Sequence, residues 1–148
     1  MIIISSGVEE KSSFADFLGA LSEELGIPPG KENPNHLNDA IICSARENSP
    51  RDLRRIIDEN LNPAAVLMFS PYYLRETFRD FYKITFPVLI VVNKNMKEEL
   101  RNGWIYHDNI SDSKLENVSG DEEPIWVSRR AQCISLTKKF LSNGFKNI

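Results

Sequence analysis

The sequence predicts an α/β fold, an open, mainly parallel sheet of about five to six strands with helices on both faces, in three layers. Two observations lead there. Four short runs, "MIIIS", "AIICS", "AAVLMFS" and "PVLIVV", are almost continuously apolar, as strands covered on both faces should be. Stretches of helical periodicity separate them, and strand alternating with helix is the pattern of parallel crossovers. The 148 residues suit a single α/β domain, 1–148, able to bury roughly two-thirds of its unfolded surface.

The elements follow in chain order. After the first strand, Ser13 caps "FADFLGALSEEL", whose Phe14, Phe17, Leu18, Leu21 and Leu25 share a helix face. A loop rich in Pro, Gly and Asn (Gly26 to Asp39) leads to the strand at Ala40 to Ser44. Ser49-Pro50 starts the next helix, with Leu53, Ile56, Ile57 and Leu61 as its buried stripe. The third strand, Ala64 to Ser70, is followed by "YLRETFRDFYKI", read as a helix from Leu74, Phe78 and Phe81, and then by the fourth strand, Pro87 to Val92. The polar, acidic stretch Asp108 to Glu123 reads as a surface loop, "PIWVS" (Pro124 to Ser128) as a weaker fifth strand, and Ala131 to Phe140 as a last helix ending near Gly144.

Composition narrows the function classes. A net charge of −3 and a pI near 5.5 argue against a nucleic-acid binder. The basic cluster "RDLRR" is offset by Asp52, Asp58 and Glu59 and reads as a solvated helix face. No apolar run has the length of a membrane span, and "MIIISS" lacks the features of a signal peptide, so a cytoplasmic protein is expected. Cys43 and Cys133 are then reduced thiols; with only His36 and His107 beside them they give no zinc spacing, and both read as small buried hydrophobes.

In an open parallel sheet, ligands bind beyond the carboxyl ends of the strands. Lys11, Arg46, Lys94, Arg129 and Arg130 would place several cations on that rim. The first strand leads into "SSGVEEKS", which has the layout of a phosphate loop, G-x-x-x-x-G-K-S/T, with Lys11 and Ser12 in place and Ser5 and Glu10 at the glycine positions. A side chain at the second position disfavours the backbone cradle, and the Glu10 carboxylate repels a polyanion. Cys43, at a strand end near Arg46, is a conceivable nucleophile. Tyr106-His107-Asp108 reads as a surface turn, since sequence neighbours seldom converge as a catalytic set.

"FPVLIVVNKNM" resembles the guanine-recognition segment of small GTPases, N-K-x-D, with Asn93 and Lys94 matching and Met96 at the Asp position. "EEPIWVSRRAQCISLTKKFL" resembles the last strand and helix of that fold, with Ser128-Arg129-Arg130 for its S-A-K loop. "AIICSARENSPRDLRRIIDENLNPAAVLMF" resembles the ethanolamine- and propanediol-utilisation branch, with Cys43 for the magnesium-linked Asp and Arg46 for the phosphate-sensing Gly. The resemblance implies a P-loop GTPase-like domain whose first strand is central, with Lys11 and Asn93 on one rim. It also implies a degenerate one: Lys11, Ser12, Asn93 and Lys94 form a vestigial nucleotide site, without catalytic residues or a metal, that takes GTP and magnesium only if it still works.

On that reading the chain is a non-catalytic adaptor or structural subunit binding another protein through Tyr72, Tyr73, Arg129 and Arg130, with Trp104 and Tyr106 as a second candidate surface. The alternative is a nucleotide- or phosphate-binding enzyme that uses Lys11, Ser12 and Arg46 in a nonstandard phosphate loop. It needs an acid/base or metal-holding carboxylate on the rim, and the strand ends offer only Glu9, Glu10 and Glu47.

Overall fold

In the computed structural model, which describes residues 2–4, 12–30 and 40–144, five parallel strands form one sheet in chain order. They are β1 (Ile2–Ile4), β2 (Ala40–Ala45), β3 (Ala65–Phe69), β4 (Val88–Asn93) and β5 (Ser113–Val118). The helices are α1 (Ser13–Leu25), α2 (Asn48–Asp58), α3 (Lys97–Asn109), the single turn α4 (Ile125–Ser128) and α5 (Arg130–Gly144). Every residue of β2, β3 and β4 is buried, which is why those runs are apolar throughout. Ile41, Cys43, Leu67, Phe69, Leu89 and Val91 point to a layer made by α1, α4 and α5. Their neighbours in sequence, Ile42, Val66, Met68, Val88, Ile90 and Val92, point to a layer made by α2, α3 and the β3–β4 connection. The two-residue period of a strand thus builds two cores from one run of sequence.

Strands in chain order with helices on both faces would seem to mix the hands of the crossovers, which are nearly always right-handed. The sheet edge resolves this. After α1 the chain returns beside β1, where the Ile3 N–H donates to the Pro28 carbonyl (3.0 Å) and the Gly30 N–H to the Ile3 carbonyl (2.9 Å), a parallel bridge between Ile3 and Pro29. The step from β1 therefore runs outward across one face. Those from β2 onward run the opposite way across the other face, and so have the same hand. The reversal of direction, where doubly wound sheets bind ligands, lies between β1 and β2.

α1 buries the expected Phe14, Phe17 and Leu21 and is closed by Gly26 at φ 66°, but its cap is Ser12 rather than Ser13: the Ser12 hydroxyl accepts from the Ala15 N–H (3.1 Å), and Ser13 is the first helical residue. Other expectations are corrected. "PIWVS" is no strand; it forms α4, burying Ile125 and Trp126 beneath α1. The fifth strand is β5, inside the stretch read as an acidic loop. It is polar because it is a sheet edge, which Lys114, Glu116 and Asn117 keep from pairing with another chain. The segment read as a third helix makes only two 3-10 turns, Arg75–Thr77 and Phe81–Lys83. Asp80 breaks it at φ 61°, and the Arg54 guanidinium of α2 draws out the carbonyls of Arg79 (2.8 Å) and Thr77 (3.5 Å). Arg54 therefore belongs to no solvated face. Lastly, Tyr106 and His107 lie in α3 rather than in a surface turn, with Tyr106 fully buried against Phe78 and Phe81.

No helix among the described residues is long and apolar enough to cross a membrane.

Candidate active site

The carboxyl ends of β2 to β5 open into a cleft of about 520 Å³. Arg46 follows β2 and Ser70 follows β3, both with left-handed backbones (φ 52° and 51°). Their N–H groups still join the sheet, Arg46 to the Phe69 carbonyl (3.3 Å) and Ser70 to the Val91 carbonyl (2.8 Å), so each turn begins right at the strand end. Such a conformation costs a non-glycine residue on the order of 1–3 kcal/mol and is concentrated at functional sites. Ser70 is 6% exposed, and its hydroxyl donates to the Glu99 carboxylate in a short contact. The same Glu99 oxygen accepts from the Asn93 N–H (2.8 Å). Two donors from neighbouring strand ends therefore hold a carboxylate carried by the first turn of α3.

Asn93 organises the far wall. Its Oδ1 accepts from the N–H groups of Asn95 (3.0 Å) and Gly120 (3.1 Å), and its Nδ2 donates to the Asp121 carbonyl (3.0 Å). A Cβ on Gly120 would lie 2.9 Å from Asn93 Nδ2, so glycine permits this approach. Tyr72 and Tyr73 also line the cleft, and the Tyr106 hydroxyl donates to the Tyr72 carbonyl (2.6 Å). Arg46 reaches the cleft with its guanidinium over the Trp126 ring, 5.1 Å from the centroid.

The structure separates the residues singled out in the sequence. Lys11 and the rest of the loop that precedes Ser12 lie outside the described residues, as does His36. Ser12 caps α1. Asn93 lines the cleft, but its amide is engaged by the chain itself; Lys94 is exposed. Tyr72 and Tyr73 line the cleft, whereas Arg129 donates to the Ser119 (2.8 Å) and Ser128 (2.8 Å) carbonyls. Arg130 pairs with Asp16 (2.9 Å) in a separate depression beside Ser12. The four do not share a cavity. Nor is the cleft basic: Glu98, Glu99, Asp121, Glu122 and Glu123 outnumber its Arg46 and Lys97.

Cys43 is no nucleophile. It is fully buried, and desolvation holds its thiol far above the ordinary range, while that of Cys133 is pushed up to about 12. His107 is occupied with Ser113 (Nδ1 to Oγ, 2.9 Å). Sequence reasoning missed Ser70 and Glu99. Their signals were a serine closing an apolar run and an acidic residue in the first turn of the helix after β4.

No protein-family model matches the chain, and none of the curated proteins does. A solved structure from Thermoplasma acidophilum, described as a predicted CIB-like hydrolase, is similar in fold, with a TM-score of 0.65 and 18% identity over 93% of this chain. The match covers 63% of that protein's length. The small-GTPase resemblance is overturned by this likeness and by the sheet: among the described residues β1 is separated from β4 by β2 and β3 and has only the short Ile3–Pro29 bridge on its other side, so it is not central. The pseudo-GTPase adaptor reading falls with it.

Proposed function

We propose that the chain carries a hydrolase site in the strand-end cleft, with Ser70 as nucleophile and Glu99 as its base. The observation behind this reading is the Ser70–Glu99 hydrogen bond at a left-handed strand end inside the cleft. The hydrolase-like fold neighbour supports the reaction class. Glu99 takes the Ser70 proton as Oγ adds to a carbonyl carbon, and that proton leaves with the displaced alcohol or amine. Water, deprotonated by Glu99, then cleaves the ester on Ser70 and restores the hydroxyl.

In a nucleophile elbow the residue after the serine supplies an oxyanion N–H. Here that residue is Pro71, which has none. The Arg46 guanidinium, lining the same cleft, takes the part of stabilising the developing oxyanion. The test combines labelling by a fluorophosphonate, mapped by mass spectrometry, with turnover of p-nitrophenyl acetate. Labelling at Ser70, and turnover lost in Ser70→Ala and reduced at least a hundredfold in Glu99→Gln, is expected. Absence of labelling together with turnover equal to that of Ser70→Ala refutes the assignment.

A further inference from the structure

We infer that this cleft selects uncharged or cationic organic molecules and rejects phosphorylated and other anionic ones, an inference that rests on the cleft being the ligand site proposed above. Two features of different kind point the same way. The first is charge: among the described residues none of the exposed Glu98, Glu122 and Glu123 makes an ion pair, so with Glu99 and Asp121 they leave the lining net negative. Arg46 and Lys97 are too few to reverse the sign, and a cleft lined by one sign of charge concentrates ligands of the other.

The second feature is aromatic. Tyr72 (46% exposed) and Tyr73 (36% exposed) line the same cleft and present part of their rings to it. Tyr73 meets Phe78 edge-on, with ring centroids 5.2 Å apart, and the Tyr72 backbone is fixed by the Tyr106 hydroxyl. The faces of such rings carry negative charge density and attract an organic cation. A cleft lined by both tyrosine rings and carboxylates accommodates an amine- or ammonium-bearing ester or amide, with its acyl carbon toward Ser70. A phosphate group in the same place would face the carboxylates.

Amide-resolved NMR titration of the whole chain tests this with three probes of similar size: phenyltrimethylammonium, benzoate and phenyl phosphate. The ammonium probe is expected to shift the amides of Tyr72, Tyr73, Glu98 and Glu122. Its affinity should fall about tenfold between low and half-molar salt, and several-fold in the Glu122→Gln/Glu123→Gln variant, whose two changes lie on the exposed wall. Binding of benzoate or phenyl phosphate in the cleft with equal or higher affinity overturns the inference, as does failure of the ammonium probe to shift those amides. Hydrolysis is read separately. Ammonium binding without Ser70 labelling upholds the charge preference and removes only the reaction, whereas faster turnover of an anionic than of a cationic ester upholds the reaction and removes the preference.

Discussion

Replacing Asn93 by alanine should loosen the entire far wall of the cleft. The side chain is 2% exposed and makes three hydrogen bonds, to the N–H groups of Asn95 and Gly120 and to the Asp121 carbonyl. The Gly120 N–H is buried, so its loss of a partner costs about 1–3 kcal/mol. The other two groups regain water and lose about 0.5–1 kcal/mol each. The total, about 2–5 kcal/mol, corresponds at this chain length to a fall in Tm of roughly 6–16 °C. Urea denaturation gives the free energy, and hydrogen exchange at Gly120 shows where it is lost. A loss under about 0.5 kcal/mol with Gly120 still protected would refute the clamp. Asn93→Asp is a second check: it keeps the acceptor and the shape but cannot donate to the Asp121 carbonyl, and it sets a charge near Glu99, so it too should be less stable than wild type.

Gly103→Ala should destabilise by about 1–3 kcal/mol in urea denaturation, since its Cβ would lie 2.9 Å from both Leu115 Cδ1 and Val92 Cγ1 where α3 crosses the sheet. Arg54→Met should cost about 1–2 kcal/mol and speed proteolysis between Arg75 and Lys83, because it frees the carbonyls of Thr77 and Arg79. The two buried thiols should resist thiol reagents until the chain unfolds. Their folded pKa values lie above the ordinary 9.0, so their contribution to stability is complete below pH 9 and is lost as pH climbs, through about 12 for Cys133. Denaturation midpoints measured between pH 8 and 10.5 should fall less steeply in Cys43→Ala/Cys133→Ala than in the parent chain.

Four of the five strands were legible because β1 to β4 are apolar runs, and in β2 to β4 every residue is buried. β5 was not, since an edge strand must carry the polar residues that also mark a loop. Leu74, Phe78 and Phe81 have helical spacing by coincidence: the ring pair Phe78–Phe81 packs on Tyr106, and the backbone beneath it is turned by Asp80. α3 has little apolar stripe to see, with Gly103 and Tyr106 as its buried residues. The candidate site was harder still. Asn93 looked like a base-reading residue, but an asparagine that must satisfy two N–H groups and a carbonyl in its own chain has the same appearance in sequence. Ser70 and Glu99 are 29 positions apart, and only the parallel pairing of β3 with β4 brings them together.

The order of the strands also bears on how the chain folds. β2 to β5 each pair with the next strand along the chain, Ile41 with Ala65, Val66 with Val88 and Val88 with Ser113, so each pairing closes a loop of moderate length that begins where the previous one ended. Loop-closure entropy rises with the length spanned, so such a sheet can grow by successive local additions, as a chain emerging from a ribosome would allow. β1 differs: Ile2 has to reach Ala40 across the longest of these intervals and then gains only three residue pairs. That edge should be the last part of the sheet to assemble and the first to open, and its amide protons should exchange ahead of those in β3 and β4.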